Sequence, residues 1–343
     1  RVRALQITPI QEASVLCQLN YKKFIKSGGV CTSSVLDELA QSELLIDGLI
    51  GTGFVGLVKN SYADVIKQVN AAKKKVIAID IPSGLNATEG AVGLKEHIIK
   101  ADVTLYLELP KVGFFLEEGM NYIGKLVQVP FGLKKTYIDN IQTSFKLLTK
   151  EKCKLYLPSY HRTRHKYQAG FLTVIAGSAN MTGAAFLATL AAFRSGSGMV
   201  KLLCTKETSQ ALSCVYPELV KVIFDDNQSI SEVSEQLLKN INASSACIVG
   251  PGIGLEEKTR KIITQLLPKI HVPVLIDADA LTMFGQQPYS LPKFVIMTPH
   301  LGELARLLNL KKVQKVTKEL LGKVCFFANS KKVVMVVKGA PTF

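Results

Sequence analysis

What most constrains the fold is a rhythm: short apolar runs ending in aspartate or glycine, separated by stretches with helical spacing. In the first part of the chain these runs are "ELLIDGLIG" (43–51), "KKVIAIDIPSG" (74–84), "ADVTLYLEL" (101–109) and "GKLVQVPFG" (124–132). Between the first two, "LVKNSYADVIKQVNAA" places apolar residues at helical intervals. Buried strands alternating with helices predict a parallel sheet joined by right-handed crossovers.

From about 133 to 160 polar, basic and turn-forming residues replace that rhythm, and a domain boundary is expected near 145. Beyond it come "FLTVIAG" (171–177), a helix from about 183, "GMVKLLC" (198–204), "ACIVGPGIG" (246–254), "VPVLIDADAL" (272–281), "FVIMTPH" (294–300) and "KVVMVVKG" (332–339). The pattern predicts an α/β protein of two tandem domains, 1–140 and 150–343. A length of 343 residues suits two domains.

The 42 Lys and Arg against 27 Asp and Glu give a net charge of +15, yet no basic block is longer than Lys73-Lys74-Lys75. Without the interleaved aromatics of single-strand binders, an anionic small molecule is the expected partner and nucleic acid is not. Seven cysteines form no CxxC pair, which argues against a disulfide framework or zinc site and for a reducing, cytoplasmic setting. The most apolar helical stretch, Gly183 to Phe193, is too short to span a bilayer, so no membrane is expected. No secretory signal is read at the start, and Arg1 in place of Met suggests that the start is missing.

In parallel α/β sheets ligands collect at the carboxyl ends of strands. In the first domain those ends carry Asp47 with the turn Gly51, Thr52, Gly53, Phe54, Val55 and Gly56, and Asp80 with the turn holding Ser83. Glycines allow close backbone approach, and successive amides can cradle an anion. A carboxylate beside a serine hydroxyl offers oxygen ligands to a hard cation. Tight turns with capping aspartates would look similar, but two such ends in one sheet favour a site. Lys111 in "ELPKVGFF" could reach a phosphate or transfer a proton; locally it reads as an unpaired surface lysine.

The second domain is richer. "AGSANMTGAAFLATLAAF" passes from a strand end through a small-residue turn into an alanine-lined helix. The free N–H groups at that helix start attract phosphate, although tight packing alone explains the alanines equally well. "VGPGIG" brings Gly252 and Gly254, shaped by Pro251, and "DADAL" brings two carboxylates. "TPHLGEL" supplies His300 and Glu303, with His300 kept extended beside Pro299 and its imidazole able to donate to a substrate amide or phosphate. Lys338 follows the last apolar run, where α/β proteins often hold phosphate.

Taken together, "LIDGLIGTGFVG", "VIAIDIPSGLNATEG" and "ADVTLYLELPKVGFF" resemble the NAD(P)H-hydrate epimerase domain. "HKYQAGFLTVIAGSANMTGAAFLATLAAFRSGSGMV", "VGPGIG", "DADAL", "TPHLGELARLL" and "VVKGAPT" resemble the ADP/ATP-dependent NAD(P)H-hydrate dehydratase domain, a ribokinase-like fold. Their order matches the bifunctional repair family of bacteria. The resemblance implies a Rossmann-like three-layer epimerase domain before a ribokinase-like dehydratase domain. One would interconvert the R and S hydrates of reduced nicotinamide nucleotides, and the other would restore NAD(P)H from the S hydrate with ADP or ATP and Mg²⁺.

Position by position, the resemblance implies K⁺ ligands at Asp47 and Ser83, and hydrate binding by the 51–56 turn and by Asp80, which is also expected to be catalytic. In the dehydratase domain it implies hydrate binding at Ala184, Gly252, Gly254 and His300, the last also expected to be catalytic. Lys338, Gly339, Ala340, Pro341 and Thr342 correspond to the nucleotide-phosphate segment. The family's early "NNGGDG" turn and its "GSGDVLTG" loop have no counterpart here, and truncation at both ends is the expectation. Tyr167 also stands where the family usually has glycine. A homo-oligomer is expected; the alternatives are a ribokinase-superfamily small-molecule kinase and a nucleotide-binding module without turnover.

Overall fold

The computed structural model describes residues 2–159, 161–224 and 228–343. The chain divides into two compact α/β units, one running to residue 147 with the segment 315–318, the other comprising 148–314 and 319–343. Among the described residues no helix is long and apolar enough to cross a membrane.

In the first unit, β1 (Arg3–Leu5) and β2 (Val30–Thr32) pair in parallel, with the helix Val15–Lys26 between them in sequence. The main sheet is parallel and four-stranded, in the order β3 (Leu44–Asp47), β4 (Lys75–Ile79), β5 (Val103–Leu107) and β6 (Lys125–Val129). The helix Asn60–Ala71 connects β3 to β4 and buries Ile66 against Val76 and Ala78 of β4. A second cluster around Ile81, Leu85, Phe114 and Ile123 fixes the loops that leave the sheet. Because every pair is parallel, Asp47, Asp80 and Glu108 leave their strands at one edge.

The second unit is a seven-stranded parallel sheet. Its strands are β7 (Phe171–Ile175), β8 (Met199–Cys204), β9 (Val220–Ile223), β10 (Ala246–Val249), β11 (Val274–Ile276), β12 (Val295–Met297) and β13 (Val334–Met335). Their spatial order is β13-β12-β11-β10-β7-β8-β9. The chain therefore runs outward from β7 to β9, then restarts at β10 on the other side of β7. That reversal opens a crevice between β7 and β10 at the carboxyl ends, the place where open α/β sheets bind ligands.

Helices follow from local chemistry. Ser229 and Glu232 form a reciprocal capping box that starts Ile230–Asn242. In Thr182–Arg194 the buried face is Ala185, Thr189 and Ala192, small enough for the helix to lie close to the sheet. The Thr189 hydroxyl donates to the Ala185 carbonyl at 2.8 Å, so the close approach leaves no polar atom of that side chain stranded. The main core packs Ile175, Val249, Ile276 and Met297 from four strands against Leu237, Ile263 and Leu281 from helices.

Candidate functional site

In the first unit Asp47 and Ser83 close on each other. Asp47, only 4% exposed, accepts from the Ser83 backbone N–H (2.7 Å), the Ser83 hydroxyl (2.5 Å) and the Leu49 N–H (3.3 Å). Ser83 Oγ in turn accepts from the Ile50 N–H at 2.9 Å. Burial pushes the Asp47 carboxyl above the usual carboxylate range, opposed by the bonds from Ser83 and Leu49. Such a carboxylate, surrounded by neutral donors, is short of positive charge. Its oxygens and the Ser83 hydroxyl fit a hard cation in donor type.

Asp80 lies at the end of β4 with φ at +67°, in the left-handed region that non-glycine residues seldom occupy. Its Oδ1 accepts the Leu107 N–H at 3.0 Å and is ion-paired with Lys111. Lys111 is thus not the unpaired surface lysine that the local sequence suggests; its side chain is 18% exposed. The cause is packing: the turn Val112–Phe114 begins directly after it and sinks Phe114 into the core, which draws the lysine across the strand ends. Strained backbone held in place by its surroundings marks a functional position more often than an ordinary turn.

Thr52, Gly53, Phe54 and Val55 line a cavity of ≈ 310 Å³ together with Asn86, Thr88 and Glu89. Gly51 and Gly56 flank that lining, with Gly56 at φ +92°. Asn86 steadies the turn by donating to the Phe54 carbonyl (3.3 Å) and accepting from the Thr88 and Glu89 N–H groups, both at 2.8 Å. Sequence reasoning passed over Asn86; an asparagine closing the "IPSGLN" turn was the available signal.

In the second unit the two turns flanking the crevice are stitched together, the Gly177 N–H donating to the Pro251 carbonyl at 2.9 Å. Gly250 has φ +128°, and an added Cβ there would lie 1.9 Å from the Asp277 carbonyl oxygen, so no other residue fits. Gly252 approaches the start of the alanine-lined helix closely, an added Cβ lying 2.8 Å from Ala184 Cβ. Gly254 donates its N–H to Asp279 at 3.0 Å.

His300 caps the helix Leu301–Leu307 in extended conformation, as the preceding proline implied. Its Nδ1 accepts from the Gly302 N–H (3.0 Å) and the Glu303 N–H (3.4 Å), which leaves the ring proton on Nε2. Lys338 Nζ lies 2.6 Å from Asp277 Oδ1 and 4.0 Å from Glu303 Oε2, and its backbone N–H reaches the Pro299 carbonyl at 2.8 Å. Gly339, Ala340, Pro341 and Thr342 form a turn closed by two backbone bonds between Val337 and Phe343, at 2.7 and 3.1 Å. The structure thus gathers Lys338, His300, Asp277 and the 250–254 turn on neighbouring strand ends. Lys338 and the half-open ring of His300 offer donors to a polar ligand, with Asp277 and Glu303 offsetting the lysine's charge.

Residues 172–343 match the family described as NAD(P)H-hydrate dehydratase, and residues 1–113 match the YjeF-related protein N-terminus. The bifunctional NAD(P)H-hydrate repair enzyme Nnr of Dictyoglomus turgidum is 30% identical over 308 residues, covering 88% of this chain and 59% of that protein. Its counterpart in Moorella thermoacetica is 30% identical over 312 residues, covering 89% and 58%. The chain spans about three fifths of the length of these curated relatives. Among solved structures, the ADP/ATP-dependent NAD(P)H-hydrate dehydratase of Bacillus subtilis, co-crystallised with ATP and Mg²⁺, is similar at a TM-score of 0.44. It is 28% identical, with 57% of this chain and 66% of that one covered.

Proposed function

The chain belongs to the NAD(P)H-hydrate dehydratase family, which matches residues 172–343 of its 343, and from that premise we propose that it repairs hydrated nicotinamide nucleotides. The observation that carries this is the row of strand ends beside the crevice of the second unit, where Lys338 follows β13, His300 follows β12 and a glycine turn without room for side chains follows β10.

In the second unit, Lys338 and the Gly339–Thr342 turn hold the phosphates of ADP or ATP, while Ala184, Gly252 and Gly254 form the backbone wall for the nicotinamide half and His300 donates from Nε2. The terminal phosphoryl group passes to the ring hydroxyl as its phosphoanhydride bond breaks, and the hydroxyl proton passes to water. The C–O bond then breaks with its electron pair on phosphate, and loss of the neighbouring ring proton restores the double bond. Hydroxide leaves poorly and phosphate leaves well. Mg²⁺ would neutralise phosphate charge when bound with the nucleotide.

In the first unit we assign R/S epimerisation of the same hydrates, with the 51–56 turn receiving the substrate and Asp80 facing the carbinol carbon. Protonation of the hydroxyl lets that C–O bond break with loss of water, leaving positive charge on the ring nitrogen that a carboxylate stabilises until water adds to the other face and gives its proton back to solvent. Asp47 and Ser83 would hold K⁺, which supplies the positive charge that the buried carboxylate lacks. A reducing cytoplasm accords with seven unpaired cysteines. A homo-oligomer accords with Val15 and Leu16, 84% and 65% exposed on a helix that buries none of its residues.

The test is to supply NADH hydrate and ADP to the full natural chain and follow the return of reduced-nicotinamide absorbance. Recovery that depends on the nucleotide supports the proposal. Its absence, together with phosphorylation of a sugar or vitamin, would replace it with a ribokinase-type activity.

A further inference from the structure

Glu303 is buried, 5% exposed, and faces two different groups of the second-unit site. Its Oε2 accepts the His300 backbone N–H at 2.8 Å and lies 4.0 Å from Lys338 Nζ, while its Oε1 lies 3.4 Å from His300 Nε2. Part of this is ordinary helix capping, in which the third residue of the first turn reaches back to the cap. A neutral glutamine caps as well as a glutamate. Capping therefore does not account for a buried charge placed within 4.0 Å of both an imidazole nitrogen and an ammonium group.

On the repair function proposed above, which seats the hydrate on His300 and the nucleotide on Lys338, we propose that Glu303 is a positioning residue through which the two subsites oppose each other's occupancy. Glu303 Oε1 lies 3.4 Å from His300 Nε2, close enough for its charge to compete with the hydrate for that ring nitrogen. When the hydrate takes it, the carboxylate loses one partner and is answered chiefly by Lys338, which is then held more firmly against a nucleotide phosphate. When a phosphate draws Lys338 away, the carboxylate turns to His300 and competes with the hydrate. One buried charge redirected between two donors makes each ligand weaken the other, and the effect is reciprocal. Asp277, 2.6 Å from Lys338, adds to the hold on the lysine but makes no bond to His300, so it cannot carry the coupling alone.

The experiment measures the ADP dissociation constant of the full natural chain by calorimetry, with and without saturating NADPH as the probe for the hydrate subsite. The expected result is a roughly 5-fold weaker ADP affinity in the presence of NADPH, within the range usual for linked sites. In Glu303→Gln, which keeps the cap and should melt within a few degrees of the parent, the ratio should fall to about one. If Glu303→Gln does not fold, His300→Gln is the second variant, in which NADPH should no longer alter the ADP affinity. A ratio of about one in the parent, or an unchanged ratio in these variants while both ligands bind, overturns the coupling and leaves the repair function standing. Failure of the parent to bind either ADP or NADPH overturns the repair function, and the coupling with it.

Discussion

Lys338 and Asp277 form an ion pair, Nζ to Oδ1 at 2.6 Å, between strand ends that are not neighbours, since β12 lies between β13 and β11. The pair bridges over the segment that presents His300. Both side chains are partly exposed, 41% and 26%, so as a stabilising contact it is worth no more than about 1 kcal/mol. A fixed cation beside a ligand crevice matters more for binding than for folding. Lys338→Met should therefore raise the ADP dissociation constant by about 10-fold or more, roughly 1.4 kcal/mol, and barely move the melting temperature. Calorimetric titration and thermal unfolding of the same preparation check both halves. A large loss of stability with unchanged ADP affinity would make the lysine structural.

The Asp47–Ser83 pair predicts the opposite balance. Removing the hydroxyl in Ser83→Ala leaves Asp47 Oδ1 with the Leu49 N–H alone, at 3.3 Å, in a buried setting. Losing one partner of a buried hydrogen bond to a charged group costs about 1–3 kcal/mol. Urea unfolding should show that loss, and the extra stability conferred by KCl over tetramethylammonium chloride should shrink with it. An undiminished potassium effect would place the cation elsewhere.

How much of this was legible in the sequence depended on whether a feature was local. β4 and β5 were readable because each is a short apolar-rich run, "VIAI" and "VTLYL", even though β4 buries Val76 and Ala78 and leaves Ile79 exposed. β9, "VKVI", was not, because it is an edge strand with Val220 and Ile223 nearly half exposed and no continuous apolar run. β1 and β2 have three residues each, below the length at which a pattern emerges. Site residues at strand ends were legible because a parallel sheet aligns those ends. Their partners were not: Lys338 and Asp277 stand 61 residues apart, and Lys111 and Asp80 stand 31 apart. Only the strand order brings each pair together.

Two buried thiols give a pH dependence with a defined sign. Burial pushes Cys204 up to about 12 and raises Cys247 as well. A thiol whose folded value exceeds its unfolded one favours the folded state while protonated. That contribution is complete below the ordinary thiol value near 9.0 and is lost as pH rises through about 12. Stability measured by denaturant unfolding should thus fall between about pH 9 and 12, and less steeply in Cys204→Ala. Near neutral pH a thiol reagent should label the exposed Cys17, Cys214 and Cys325, reaching Cys204 and Cys247 only in denaturant.

The Lys111–Asp80 pair offers the sharpest test of the first unit. Both side chains are largely covered, 18% and 23% exposed, and Asp80 is held in a backbone conformation it would not choose alone. Lys111→Met removes the cation that orients the carboxylate while keeping the aliphatic stem that lies across the strand ends. Epimerisation of separated R and S hydrates, followed chromatographically without nucleotide, should slow by about 10²-fold, the lower end of what a well-placed acid–base pair supplies. Lys111→Arg should recover most of that rate, because orientation by a positive charge survives the change. If the lysine only props the loop beneath Phe114, methionine would serve as well as arginine and both variants would epimerise alike. A rate that separates the two variants, at matched melting temperatures, assigns Lys111 to the positioning of Asp80.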